Sequence, residues 1–310
     1  MLSPAQYFDR YRSITVPAVD GDDLATSLHV DHYRLGAPQP AIDERYKLGK
    51  KVEKDLAIRR KTDPQAGVRV RVDTSTGRED REFPTFSMKS EDQLWALIRY
   101  PYVGKGSPES IQVALQLAAV DLPGSPPFVR PEAFQSYCDK WLGLDCNGFV
   151  GNFLRHEHAA IPWWDVTSTG GIEPDDKISD IWTKFEGEVR ESADAINPDD
   201  LNLLVMVDAA GKIVPGGVAG AYGHIGISGP GESSSVPGLK GKLPGAGDDA
   251  VPAICVVEST AAKKADGNNG LARSFYAYVE NPAQPGVFRF HRGVNGGLIS
   301  MRVKAAAWPA

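Results

Sequence analysis

Residues 144–151 read LDCNGFVG. A cysteine stands here between an aspartate and an asparagine–glycine pair, whereas a cysteine kept for packing would sit inside an apolar run. Asp145 is a favoured helix N-cap, because its carboxylate can accept from the unsatisfied N–H groups of a first turn. Cys146 then becomes the first helical position. The positive end of the helix macrodipole favours a thiolate there and lowers the thiol's proton affinity. Phe149, Val150, Phe153 and Leu154 continue the segment as one apolar stripe. Gly148 and Gly151 each cost about 1 kcal/mol of helix propensity relative to alanine. Two glycines in so short a helix point to a close approach by another backbone segment, such as a neighbouring strand.

This stretch divides the chain. Before it, helical signals dominate. Ser90 can cap a helix through EDQLWALIRY, with Gln93 completing a capping box. Ser107 precedes Pro108 and reads as the N-cap of PESIQVALQLAAV. A further helix covers RPEAFQSYCDKWLG. After Pro198 the signals turn to short β-branched and aromatic runs bounded by Gly, Pro or Asn, at 201–208, 222–228, 253–260, 273–280, 286–293 and 298–305. Helices first and strands afterwards predict an α+β fold with an antiparallel sheet. The segment 228–252 is rich in Gly, Ser and Pro and reads as a long surface loop without a core of its own. The first 87 residues differ from the rest. Segment 43–62 carries eight Lys/Arg against four Asp/Glu and reads as a helix, and 68–83 alternates around a Thr–Gly turn as a β-hairpin does. That organisation predicts an N-terminal region over 1–87, able to serve as a targeting or docking module. A second domain follows over 88–310, with insertions at 159–198 and 228–252.

Composition sets bounds on function. The chain has 310 residues, 42% of them hydrophobic and 24% charged, as in globular proteins, and a formal net charge of -6. That balance gives no electrostatic footprint for nucleic acid. No stretch reaches the ~18 apolar residues of a membrane span. The N-terminus lacks the basic-then-apolar pattern of a secretory signal, so the expected location is the cytoplasm, or the cell wall or periplasm by a leaderless route. Three cysteines, Cys138, Cys146 and Cys255, cannot build a disulfide framework, and the histidines lack metal-ligand spacing. Cys138 and Cys255 read as core residues. No metal and no cofactor is expected, and the oligomeric state is open.

A nucleophilic cysteine needs a base, and the base needs a group to orient it. Of the six histidines, His156 and His158 lie roughly 15 Å along the cysteine's own helix at 1.5 Å per residue. His224 is the better candidate. It opens the apolar run HIGIS and follows Gly223, which permits close approach of backbone to helix. On the next strand candidate, VVEST offers Glu258. If the two strands are neighbours, that carboxylate can orient the imidazole.

With these residues in hand, DCNGFV resembles the Asp-Cys-Ser-Gly signature of the NlpC/P60 peptidases, papain-like thiol hydrolases of bacterial cell walls. PDDLNLLVMV, HIGIS and VVEST resemble that family's three following strands in order. The resemblance covers roughly 140–300. It implies a papain-like fold in which a helix bearing the cysteine packs on an antiparallel sheet. It also implies Cys146 as nucleophile, His224 as base and Glu258 as third catalytic residue. Departures are visible. Asn147 stands where the family has serine, and both residue types make local hydrogen bonds at a helix start. The gaps of 78 residues from Cys146 to His224 and 34 from His224 to Glu258 are long, and the two insertions account for them. An aromatic near the oxyanion site is expected from the family. Tyr102, in PYVGKG, and Tyr137 both remain candidates. Asp145 belongs to the site as the helix cap, and Trp163 and Trp164 could line a groove or anchor the first insertion.

The resemblance implies hydrolysis of amide bonds through a thioester, with peptidoglycan stem peptides as substrate. The backbone N–H of Cys146 would help hold the oxyanion, a contribution of about 3 kcal/mol per donor elsewhere. Other readings stand beside this one. One is an acyltransferase or a lipid or small-amide hydrolase with the same residues, which would want a deep apolar cleft. Another is a non-catalytic wall-binding protein. An antibacterial effector or phage lysin would use residues 1–87 for targeting.

Overall fold

The computed structural model describes residues 1–16, 25–35, 39–40, 42–44, 46–47, 50, 61, 69–74, 77–82, 95–96, 98–118, 131–161, 171–216, 223–231, 233–262 and 269–308. Its residues form two compact units. One comprises Met1–Phe8, Asp145–Ala160 and Gly170–Ala310, and the other Asp9–Leu144 and Ile161–Thr169. The expected boundary at residue 87 and the expected Ser90 cap lie outside the described residues, as does most of the basic segment 43–62. Among the described residues no helix is long and apolar enough to cross a membrane.

Helix α1 (Pro4–Tyr11) begins in the first unit and ends in the second, where a short antiparallel pair follows, β1 (Ile14–Val16) and β2 (Ala25–Leu28). The hairpin expected near 68–83 forms between β3 (Arg69–Thr74) and β4 (Gly77–Glu82). Helix α2 (Pro108–Ala118) starts where proline at its first position predicts, and the Ser107 hydroxyl accepts from the N–H of Ser110 at 3.2 Å. It packs on β1, and α3 (Pro131–Trp141) packs on β2.

In the first unit, helix α4 (Cys146–Phe153) begins at the cysteine. The Asp145 carboxylate accepts from the N–H of Gly148 at 2.7 Å, which satisfies one orphan donor of the first turn. One π-helical turn, Leu154–His158, prolongs it, and α5 (Ile178–Lys184) follows. Then come β5 (Glu188–Val189), β6 (Leu201–Met206), β7 (Ile225–Ser228), β8 (Ser233–Val236), β9 (Val251–Thr260), β10 (Gly270–Glu280), β11 (Phe288–Arg292) and β12 (Leu298–Ala306).

The strands correct the expected architecture. They run β9–β10–β11–β12–β6–β7, and β7 returns to pair with β9, so six antiparallel strands close into a barrel. This is not the papain-like NlpC/P60 arrangement, a helix on an antiparallel sheet, that the sequence led us to expect. The physical reason lies in strand length. At ten residues, β9 is long enough to divide one edge between two partners. Its first part pairs with β8 and its later part with β7, while its other edge pairs with β10 from Ala253 to Thr260. Closure removes exposed sheet edges. The seam is short: among the described residues, Ile227 opposite Val257 is its one register pair.

A barrel of about this size is filled by its own side chains. Alternate residues of five strands converge in one core of Leu204, Ile254, Val256, Tyr276, Tyr278, Phe288, Phe290, Met301 and Val303. The phenylalanine pair Phe288 and Phe290 and the two tyrosines meet edge-on or tilted, with centroids 5.5–6.5 Å apart. Full burial of such side chains contributes about 1.5–3 kcal/mol each.

The 228–252 segment also departs from expectation. It supplies β8, and Leu239 and Leu243 are buried with Val251, Ala253 and Ala277 in a second, smaller core. Two leucines embedded in Gly, Ser and Pro suffice to fold the segment back onto β9 and β10.

The N-terminal residues belong to the same unit. Tyr7 packs on Phe149 and Phe153 at centroid distances of 5.8 and 5.7 Å, and the N–H of Leu2 donates to Glu157 at 3.0 Å. Pro4 sits hard against Gly229, where a side chain would collide with its ring.

Candidate functional site

The barrel carries a charged cluster at one end of its apolar interior. His224 stands just before β7, where its carbonyl accepts from the N–H of Met206 at 2.9 Å. Gly223 before it is required by crowding: a Cβ there would lie 2.7 Å from the Val214 carbonyl oxygen and 2.8 Å from Cδ1 of Ile178. The close approach expected at this glycine is therefore to the 214–216 backbone and to α5. Gly226 serves the same end inside the barrel. A Cβ would stand 2.7 Å from Cγ1 of Val256 and 3.7 Å from Cβ of Glu258, so the glycine makes room for the two β9 side chains.

Nε2 of His224 meets Oε2 of Glu258. Glu258 is wholly buried and, besides meeting His224, accepts from two further elements. Tyr276 on β10 donates its hydroxyl to Oε1. Arg292 on β11 donates Nη2 to Oε2 at 2.6 Å and, at 3.1 Å, to the Thr260 hydroxyl. Arg292 Nε donates to the Tyr276 oxygen at 2.8 Å, which closes the ring of contacts. The cluster brings His224 and Glu258 together, and it adds Tyr276 and Arg292, which the sequence reading did not name.

The electrostatics follow from this geometry. Burial pushes the Glu258 carboxyl up, but His224, Arg292 and the Tyr276 hydroxyl outweigh it and hold the group down at about 2. Burial and then the facing carboxylate push the Tyr276 phenol well above its usual range, so it remains a donor. Burial works against the Arg292 charge, and the carboxylate beside it reverses that effect and raises the group.

Cys146 opens α4, and α4 lies against β7 and β9, the strands whose ends carry His224 and Glu258. The thiol is nearly buried and donates to the carboxamide oxygen of Asn147 at 3.2 Å. Asn147 in turn donates Nδ2 to the carbonyl of Asp176 at 2.8 Å. A carbonyl accepts only from the amide nitrogen, so this bond fixes which end of the carboxamide faces the sulfur. Asn147 therefore makes contacts that a serine at its position is too short to reproduce. Asp176 is itself held by Lys184 at 2.7 and 2.9 Å. The same 173–176 turn explains Gly151, whose Cβ would lie 2.8 Å from Cα of Pro174. The helix glycine admits this turn and not a strand.

The remaining candidates separate. Tyr102 and Tyr137, the two alternatives for an aromatic near the oxyanion, are both buried and share a hydrogen bond of 2.7 Å between their hydroxyls in the other unit. Trp163 and Trp164 lie outside the described residues. Cys138 is a core residue whose thiol is pushed up to about 12 by burial, aided by the charge of Asp139. Cys255 is nearly buried on β9 and lines a small hollow with Ser3, Pro4 and Gly229. None of the three cysteines is in a disulfide.

Comparison with protein-family models, with curated proteins and with solved structures finds no match for the chain.

Proposed function

We propose that the chain is a cysteine hydrolase that cleaves amide bonds through a thioester, with Cys146 as nucleophile, His224 as base and Glu258 orienting the imidazole. One observation carries the reading: His224 and a buried, ionised Glu258 are in contact on the strands that the Cys146 helix covers. An imidazole engaged by a carboxylate through Nε2 has Nδ1 left for proton exchange. In the first step Nδ1 takes the thiol proton and the sulfur forms a bond to the amide carbon. The proton then passes to the leaving nitrogen as the C–N bond breaks, which releases an amine and leaves a thioester. Water, deprotonated by the same nitrogen, attacks the thioester and frees the acid and the thiol. The start of α4 supports the attack, since its first-turn N–H groups face developing negative charge.

For substrate we propose amide bonds in peptidoglycan stem peptides, as the likeness of DCNGFV to the cell-wall peptidase signature implies. Digestion of purified sacculi tests this. The wild type is expected to release new muropeptides, and Cys146→Ala and His224→Gln to release none. Absence of release by the wild type would reject this substrate class.

A further inference from the structure

Glu258 is held from three directions, and only one of them is His224. We propose that Arg292 and Tyr276 are positioning residues of the site. They fix the Glu258 carboxylate in one orientation and share its charge, and the carboxylate so held orients the His224 ring. This inference rests on the hydrolase reading for its purpose, but not for its test.

The geometry is specific. Arg292 Nη2 and His224 Nε2 converge on the same oxygen, Oε2, while the Tyr276 hydroxyl occupies Oε1. Arg292 cannot swing away, because its Nε is bonded to the Tyr276 oxygen and its Nη2 also reaches Thr260. The guanidinium plane also lies near the Tyr276 ring, 5.8 Å from its centroid. Glu258 and Tyr276 are wholly buried, and Arg292 is only 8% exposed. For stability alone the arrangement is expensive, since a buried ion pair is often no better than apolar residues of similar size. What it provides is a carboxylate with one orientation and a compensated charge.

Compensation decides the proton balance of the imidazole. A carboxylate alone beside a histidine strongly favours the charged ring, and a cation on the same oxygen opposes that charge. Among the described residues, the charged and titratable groups joined to His224 in this cluster are Glu258 from β9, Tyr276 from β10 and Arg292 from β11. Met206 and Ile178 are its uncharged neighbours from β6 and α5.

The test is an NMR titration of the His224 ring, assigned by its disappearance in His224→Gln. Arg292→Gln is expected to raise the midpoint by about one pH unit or more. Arg292→Lys keeps the charge and is expected to restore the midpoint to near the wild-type value. Tyr276→Phe, which keeps the ring and its packing, is expected to shift it upward by less. An unchanged midpoint in Arg292→Gln overturns the proposal, as does an Arg292→Lys midpoint displaced as far. Should Arg292→Gln not fold, Tyr276→Phe decides, and an unshifted midpoint there overturns the proposal. No turnover is needed, so a failure of sacculus digestion with the titration as expected would count against the hydrolase reading alone.

Discussion

The carboxamide oxygen of Asn147 stands 3.2 Å from the sulfur of Cys146 and accepts its hydrogen bond. An oxygen so placed stabilises the protonated thiol and repels a thiolate, in opposition to the helix terminus behind it. Asn147→Ala is therefore expected to lower the pH at which Cys146 becomes reactive. The midpoint of the iodoacetamide rate against pH measures this. A midpoint that stays put or rises would show that Asn147 has no hold on the proton.

Cys146 is expected to be alkylated well before Cys138 and Cys255 near neutral pH. Reactivity follows thiolate content and access, and burial pushes the Cys138 thiol up to about 12. Peptide mapping after a short iodoacetamide pulse reads the order directly. Equal, slow labelling of all three would argue against an activated thiol.

Glu258 ties stability to acidity. Its carboxyl is held at about 2 in the folded protein, against 4.5 ordinarily. Between those values the unfolded chain binds more protons, so stability rises with pH through the window and levels off above it. The contribution is present above about 4.5 and is lost as pH falls through 2. Thermal unfolding of the wild type should fall more steeply in this window than that of Glu258→Gln. That variant should also be less stable at neutral pH by roughly 3–5 kcal/mol, because Arg292 is left buried without its partner. Parallel acid branches for the two proteins would remove Glu258 as the cause.

Gly226→Ala would place a Cβ 2.7 Å from Cγ1 of Val256, at the short seam between β7 and β9. Overpacking of this kind costs about 1–3 kcal/mol. Denaturant unfolding should show that loss, with sacculus digestion falling alongside it. A variant as stable and as active as the wild type would show that the seam tolerates the extra methyl.

Much of the site could be read from local pattern. Asp145 announces a helix start, and alternation with β-branched residues announces β9 to β12. Barrel closure could not be read, because nothing in β6 or β12 alone states that the first and last strands of a series will meet. Arg292 and Tyr276 escape a local reading for a related reason: each lies on a different strand from Glu258, and only the pairing of β9, β10 and β11 brings them together. A signal was nonetheless present. Positions 288, 290 and 292 share one face of β11, so an apolar pair, Phe288 and Phe290, predicts that Arg292 points inward with them. By the same period Glu258 follows Ile254 and Val256. Two opposite charges on inward faces call for each other. In 228–252 composition misled, because Leu239 and Leu243 are too few to register against the glycines and serines around them.

His224 and Glu258 lie on opposite banks of the seam, joined by a ladder of one register pair among the described residues. The contact across that gap works as a clasp on the cylinder. Because β7 and β9 are consecutive barrel strands in the chain, this clasp can set as soon as β9 is made. Arg292 on β11 comes later, so the charge around the carboxylate is completed only by the strands that follow.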